Sequence, residues 1–168
     1  MWRPEEPVDL PVSGRVFTAS RRVRLGDVTP KGRLRLDATA RYLQDIANDD
    51  AVDGTFSDIH GWVVRRTELW VHQFPVYMHD VQLQTWCGGY GSHWAERRTR
   101  ITSADGGLIE AAALWVHVDM QTMKPTPLPE DFFALVHESS GGRKIRANLA
   151  IGKSLPPLDD PAAISEEW

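Results

Sequence analysis

The sequence has one cysteine, no long hydrophobic run and little excess of charge of either sign. Because Cys87 is alone among 168 residues, no internal disulfide can form and nothing requires an oxidising compartment. No stretch approaches the roughly 18 apolar residues of a membrane helix, and the N-terminus MWRPEEPVDL lacks the apolar core of a signal peptide. The net charge of −4 argues against a nucleic-acid partner, which needs a surplus of Lys and Arg. We therefore expect a soluble, cytoplasmic domain without a membrane span.

Motifs for metals and cofactors are also missing from the sequence. The six histidines show neither HExxH spacing nor a paired CxxC pattern nearby, so no metal site is predicted. Gly88, Gly89 and Gly91 do not lie between a strand and a helix, so they form no phosphate-binding fingerprint. No cofactor is implied.

The most informative stretch that is present runs from Arg35 to Ala51 and predicts one long amphipathic helix. Its apolar residues recur at helical spacing, with acids and amides on the other side. The absence of Pro and Gly between 33 and 53 favours a helix over a strand, and Gly54 lies just past the end. The apolar stripe consists of Leu36, Ala40, Leu43, Ile46 and Ala47.

Most of the remaining chain has the pattern of β-strands. The predicted strands are residues 15–25, 61–73, 81–86, 93–102 and 108–120. Residues 108–120 are the most apolar and are expected inside the sheet, whereas the glycines at 88–91 are expected to break or turn it. One strand, a long helix and then four strands indicate the α+β class, with one long central helix against a curved antiparallel sheet of about five strands.

Composition divides the chain into three parts. Residues 1–14 are rich in Pro and Glu and predict an N-terminal arm, residues 15–137 predict the folded domain, and residues 138–168 have the Gly, Pro and acid content of a linker-like tail. A short helix is expected at 130–136. Because a lone two-layer domain leaves a sheet edge or face open, we expect pairing with a second copy.

Several local strings, in this order and spacing, resemble the acyl-ACP thioesterase family of hotdog-fold proteins. The strings are RLGD at 24–27, RYLQDIA at 41–47, WVVRR at 62–66 and LWV at 114–116. The likeness runs from about Val16 to Phe132 and is to the first of two tandem hotdog domains. The Asn-x-His string of the second domain is not found here. The resemblance therefore implies either a domain fragment or a single-hotdog relative that dimerises.

The resemblance implies an acyl-[acyl-carrier-protein] hydrolase that releases free fatty acid from a thioester of acyl-carrier protein or coenzyme A. A homodimer or a tandem hotdog pairing is implied as well. The alternative is a non-catalytic half of a two-domain thioesterase, which binds acyl chains and dimerises while its partner domain performs the chemistry.

The resemblance places the candidate catalytic groups on the predicted helix. Asp45 is predicted to act as general base or nucleophile, and Asn48, three residues further on, to hold a water or the thioester carbonyl. Gln44 is expected to position the substrate, and the backbone amides at the helix start, from Leu36 to Ala38, to donate to the oxyanion. The alternative for Asp45 and Asn48 is an ordinary solvated helix face.

The loop before the helix departs from the pattern of another group of hotdog thioesterases, which resembles Gly-Asp-x-Asp-Pro-x-Gly. In this sequence Thr29 occupies the position of the second acidic residue of that pattern. A threonine does not act as a base at neutral pH without a partner. Thr29 is therefore predicted only to contact substrate, and Asp27 to cap or turn the chain. Trp62 is predicted to line an acyl tunnel.

The sequence leaves two possible roles open for Cys87 and for the arginines of two predicted strands. Cys87 is either a nucleophile paired with His72 or His93 or, as we favour, a buried inert thiol. The arginines of two strands form either a surface for an acidic carrier protein or phosphate, or a solvated sheet face; they are Arg65, Arg66, Arg97, Arg98 and Arg100.

Overall fold

Within residues 7–54 and 61–147, which the computed structural model describes, the chain forms one five-stranded sheet and two α-helices. The strands are β1 Phe17–Arg22, β2 Trp62–Gln73, β3 Asp80–Tyr90, β4 Trp94–Ser103 and β5 Leu108–His117. The helices are α1 Leu36–Asp53 and α2 Glu130–Ser140, and a short 3₁₀ turn covers Leu25–Asp27. Neither α-helix of these residues is long and apolar enough to cross a membrane.

The sheet is antiparallel throughout and has the strand order β1-β3-β4-β5-β2. Helix α1 follows β1 at one edge and leads to β2 at the other edge, so it spans the width of the sheet. Strand β5 lies between β4 and β2, which confirms its predicted interior position. The predicted α+β architecture is confirmed.

Helix α1 is held on the sheet by its buried stripe. Tyr42, Leu43 and Ile46 are at most 6% exposed and join a core with Ile101 and Ile109 from the sheet. Burying one such side chain stabilises the fold by roughly 1.5–3 kcal/mol. The helix bounds agree with the predicted helix to within two residues at each end.

Gly88 and Gly89 do not turn the sheet, so the prediction is wrong for these two glycines, whereas Gly91 lies in the turn between β3 and β4. Strand β3 continues through Gly88 and Gly89 to Tyr90, with a bulge after Cys87. A Cβ atom on Gly88 would lie 2.6 Å from Cγ of Arg98, and one on Gly89 would lie 2.7 Å from Ile145. These glycines allow close packing against the sheet.

Helix α2 packs on the same face of the sheet as α1. Phe132 and Val136 join Tyr90 and Ala95 in a second apolar cluster. The helix passes the predicted end at 136 and stops at Gly141, whose φ of 56° fits a left-handed cap. The backbone of residues 143–145 then bonds to that of Tyr90, so this part of the predicted tail lies against β3. Residues 148–168 of that tail and residues 1–6 of the predicted arm lie outside the described residues.

Candidate active site

A cavity of about 220 Å³ lies between α1, α2 and the sheet. We call it the chamber. Its walls are mostly apolar, with a polar side formed by residues of α1 and β4. The apolar walls consist of Ala47, Ala51, Trp62, Trp86, Ala95, Trp115, Phe132 and Val136, and the polar groups are Arg15, Gln44, Asn48, Asp50, Cys87, Glu96, Arg97 and Ser139.

The helical repeat explains which residues of α1 reach the chamber. Gln44, Ala47, Asn48 and Ala51 follow one another at three- and four-residue spacing, so they share one helix face. Two of the four are alanines, whose short side chains leave space beside the sheet. The ring of Phe132 in α2, 5.2 Å from that of Trp62, forms part of the opposite wall.

An ionic cluster stabilises the polar side of the chamber. Asp50 is 5% exposed and pairs with two arginines, Arg15 at 2.7 Å and Arg97 at 2.6 Å. Arg97 also donates to the hydroxyl of Thr85 at 3.2 Å. A carboxylate that bonds to two guanidinium groups fixes the position of both side chains. Asp50 therefore keeps Arg97 beside Gln44 and Asn48.

The arginines of β2 and β4 do not form one basic surface. Arg97 lies on the helix side, while its neighbour Arg98 points to the other face and pairs with Glu96 at 2.6 Å. Arg98 is only 2% exposed, and Arg100 pairs with Glu110 at 2.8 Å. Both predicted alternatives, a carrier-binding surface and a solvated face, are therefore wrong for Arg97 and Arg98.

The loop before α1 is tied to the helix through Asp27. Its carboxylate accepts hydrogen bonds from the Tyr42 hydroxyl at 2.7 Å, from the Arg24 amide at 3.0 Å and from the Arg41 guanidinium. Burial opposes the charged form, but these donors and the charge of Arg41 outweigh it, and the pKa of Asp27 is lowered. Burial and the adjacent carboxylate raise the pKa of Tyr42. Asp27 thus has the predicted capping role.

We expect Asp27 to make folding stability depend on pH. Because its pKa is lowered by folding, its contribution is present above the ordinary value of 3.8 and is lost as pH falls through the lower folded value. An Asp27→Asn variant should be less stable than the native chain by about 1–3 kcal/mol near pH 7. The difference should shrink toward about pH 2.

Thermal unfolding followed by circular dichroism across this pH range measures the difference. Asp49→Asn, on the exposed side of α1, is the matched control. A difference between Asp27→Asn and the native chain that stays constant with pH would contradict the assignment.

The structure brings three of the predicted site residues together: Gln44, Asn48 and Trp62 all line the chamber. Asp45 lies outside the chamber wall, on the side of α1 toward β1, and pairs with Arg21 at 2.7 Å. The hydroxyl of Thr29 accepts a hydrogen bond from the Arg33 amide within its own loop.

The start of α1 also lies away from the chamber. Leu36 is 40% exposed and precedes Gln44 by about 12 Å of helix. The hydrogen bond from Arg35 lowers the pKa of the Asp37 carboxylate, and the amides of Asp37 and Ala38, predicted to donate to an oxyanion, contribute to the same shift. The Arg35 side chain bonds to the same carboxylate at 2.8 and 2.9 Å.

Cys87 lies in the chamber wall as a thiol. It donates to the carbonyl of Gly89 at 3.4 Å, and burial raises the pKa of Cys87 to about 11. Since the thiolate is the nucleophile, this side chain is unreactive at neutral pH, in agreement with the favoured prediction.

Sequence reasoning missed Arg15, Asp50 and the orientation of Arg97. Strand alternation contained the signal for Arg97, because Ala95, Arg97 and Ile101 are spaced by even numbers and must share one face. No local pattern pairs Asp50 with Arg15, 35 residues away.

One long helix across one face of a curved five-stranded antiparallel sheet, with an apolar chamber beside it, defines a hotdog-fold domain. The chain belongs to the acyl-ACP thioesterase family, because the model of its N-terminal domain matches residues 14–136.

Several known proteins are similar to this chain. An uncharacterized protein of Mycobacterium tuberculosis is 28% identical over 140 residues, which cover 83% of this chain and 56% of that protein. A chloroplastic palmitoyl-acyl carrier protein thioesterase of Cuphea hookeriana is 22% identical over 77% of this chain and 37% of its own length. A putative oleoyl thioesterase of Lactobacillus plantarum superposes with a TM-score of 0.75 and 18% identity, covering 90% of this chain and 61% of that one. The chain thus spans about a third to just over half of these curated relatives.

Proposed function

We propose that this chain takes part in hydrolysing fatty acyl thioesters of acyl-carrier protein, with the acyl tail bound in the chamber. The chamber carries the proposal, because it joins tryptophan and phenylalanine walls to a polar side with two neutral amides. An acyl thioester has the same two parts, an apolar tail and a polar carbonyl, and sites of this kind place few polar groups in apolar surroundings.

In the proposed complex the tail lies against Trp62, Trp115 and Phe132, and the thioester carbonyl lies at Gln44 and Asn48. Attack by water on the carbonyl carbon gives a tetrahedral oxyanion, and collapse expels the thiolate and leaves the free acid. The amide N–H groups of Gln44 and Asn48 donate to the oxygen on which charge develops. The positive charge of Arg97, held in place by Asp50, favours the same state.

Which group activates the water stays a prediction. Asp45 was predicted from the family resemblance, and its ion pair with Arg21 lies outside the chamber wall. Two carboxylates that line the chamber, Asp50 and Glu96, are both paired with arginines. The variant Asp45→Asn therefore tests the predicted base directly: loss of turnover assigns it the proton transfer, and unchanged turnover removes it from the mechanism.

We expect Asn48→Leu to lower kcat/KM for acyl-carrier-protein thioesters by about a hundredfold, as removal of an oxyanion donor does. Release of the free thiol measures turnover, and Asp49→Asn on the same helix is the control, with native rates expected. Equal rates for Asn48→Leu and the native chain would contradict the assignment.

The native chain must also be assayed for binding. Acyl binding without hydrolysis would give this chain the role of the non-catalytic, acyl-binding half of a longer thioesterase.

Pairing with a second hotdog domain, as a homodimer or in tandem, belongs to the same proposal. Strand β2 supports it: it has twelve residues and, among the described residues, pairs only with β5. An edge strand of this length offers a row of free backbone groups to another sheet. The choice between acyl-carrier protein and coenzyme A as the thiol carrier is addressed below.

A further inference from the structure

Two loops form an exposed surface near the start of α1, which we call the loop surface. The amide of Val23 bonds to the carbonyl of His79, and the amide of Tyr77 bonds to the carbonyl of Gly32, each at 2.9 Å. These bonds fix the loop before α1 against the loop between β2 and β3. The side chains of the loop surface are Arg24, Leu25, Lys31, Arg33, Tyr77 and Met78.

The apolar part of the loop surface is unusually exposed. Leu25 is 73% exposed, Met78 48% and Tyr77 43%. Met78 also has a φ of 66°, a left-handed conformation that costs a non-glycine residue about 1–2 kcal/mol. Strained backbone and clustered exposed apolar side chains are both typical of binding surfaces.

The charged part of the loop surface is positive. Within the described chain Arg24, Lys31 and Arg33 make no side-chain ion pair or hydrogen bond, and all three are exposed. Neighbouring cations are already neutralised, since Arg22 pairs with Asp80 and Arg35 with Asp37. The loop surface therefore offers three available positive charges around an apolar centre.

We propose that the loop surface docks the acidic carrier protein that presents the acyl thioester, which makes this inference rest on the proposed function. Charge complementarity selects an acidic partner, and an apolar centre with a charged rim is the anatomy of a protein interface. The surface is distinct from the predicted arginine cluster of β2 and β4.

A second cavity lies along α1, between the chamber and the start of the helix. This smaller cavity of about 40 Å³, lined by Ala40 and Leu43, shares Gln44, Arg97 and Trp115 with the chamber. Ala40 lies four residues into α1, about 6 Å along the helix from Leu36, the end that adjoins the loop surface. A thioester arm from a carrier docked at the loop surface thus has a short path to the chamber.

Two other partners fit the loop surface less well. In a two-fold pairing of two copies, the three free cations would face the same cations of the other copy. Binding to an anionic membrane typically uses clusters of four to eight basic residues, and here acidic Asp80 and Asp37 lie among the basic ones.

The test compares two double charge reversals in the full chain. Lys31→Glu with Arg33→Glu changes the loop surface, and Lys124→Glu with Arg146→Glu makes the same net-charge change at exposed positions elsewhere. Affinity for acyl-carrier protein is measured by fluorescence anisotropy of the labelled carrier. Turnover is measured with one acyl chain on carrier protein and on uncharged pantetheine.

The loop-surface variant should bind carrier protein at least tenfold more weakly and show a correspondingly raised KM for acyl-carrier protein. Its turnover of acyl-pantetheine should stay within twofold of native, and the control variant should match the native chain on both substrates. Affinity of the native chain should also fall as salt is raised.

Equal carrier affinity in both variants would overturn the docking assignment. If the native chain then still hydrolyses acyl-pantetheine, the proposed function is supported even though the docking assignment is wrong. Failure of the proposed function has a different signature, carrier binding at the loop surface without hydrolysis of either substrate. Loss of binding to anionic phospholipid vesicles in the loop-surface variant, with carrier affinity unchanged, would overturn the proposal in favour of a membrane partner.

Discussion

An Ala47→Leu variant should lose about fiftyfold in kcat/KM toward octanoyl thioesters while butanoyl thioesters stay within about twofold of native. Ala47 lies in the chamber wall and is 6% exposed, so a leucine there takes three carbon positions from the space available to the acyl tail. Each buried methylene contributes about 0.8 kcal/mol, so three excluded carbons correspond to a loss of this size.

The chamber volume sets the chain length used in this experiment. A dry protein cavity of about 150 Å³ holds one benzene molecule, which has six carbons. By that measure the 220 Å³ chamber holds a tail of about nine carbons, so octanoyl is the longest even-numbered tail that fits. We therefore expect kcat/KM of the native chain to rise with chain length up to octanoyl and to rise no further beyond it.

The control for Ala47→Leu is Ala134→Leu, which adds the same side chain at an exposed position of α2. Rates are measured on acyl-pantetheine thioesters of four to sixteen carbons, so carrier docking does not enter. Native octanoyl turnover in Ala47→Leu would show that the acyl tail binds somewhere other than the chamber.

The largest stability effect is expected at the buried ion pair of β4, where Arg98→Met should cost about 3–5 kcal/mol. Glu96 is 1% exposed and pairs with Arg98 at 2.6 Å. When the Arg98 guanidinium is removed, the nearest cation to the buried Glu96 carboxylate among the described residues is Arg143, at 3.1 Å. For a chain of this size the loss corresponds to roughly 10 °C in Tm.

Two further variants test whether the loss of stability depends on the burial of the ion pair. Arg100→Met removes a more exposed partner, at 26% side-chain exposure, and should cost about 1 kcal/mol or less. Glu96→Leu together with Arg98→Met removes both buried charges and should recover much of the stability. Thermal unfolding measures all three, and equal losses for Arg98→Met and Arg100→Met would contradict the burial argument.

The candidate site was only partly predictable. Gln44 was predicted from the family resemblance and Asn48 from its three-residue distance to Asp45, and the structure then places both on one face of α1 with Ala47. Asp45, next to them in sequence, was assigned a catalytic role by resemblance, but the fold points it toward Arg21 of β1. Successive side chains of a helix point in directions about 100 degrees apart. Two residues that are adjacent in sequence can therefore contact different parts of the fold.

The sequence by itself determined the elements and their order: the long helix, the five strands and the interior place of β5 all follow from the spacing of apolar residues within single segments. Only the tertiary structure decided which distant residues meet. It put Arg15 and Arg97 on either side of Asp50, let β3 run through Gly88 and Gly89, and left Lys31 and Arg33 without side-chain partners among the described residues. The physical reason is that periodicity records which side of its own element a residue occupies, whereas an ion pair or a cavity depends on how separate elements are packed together.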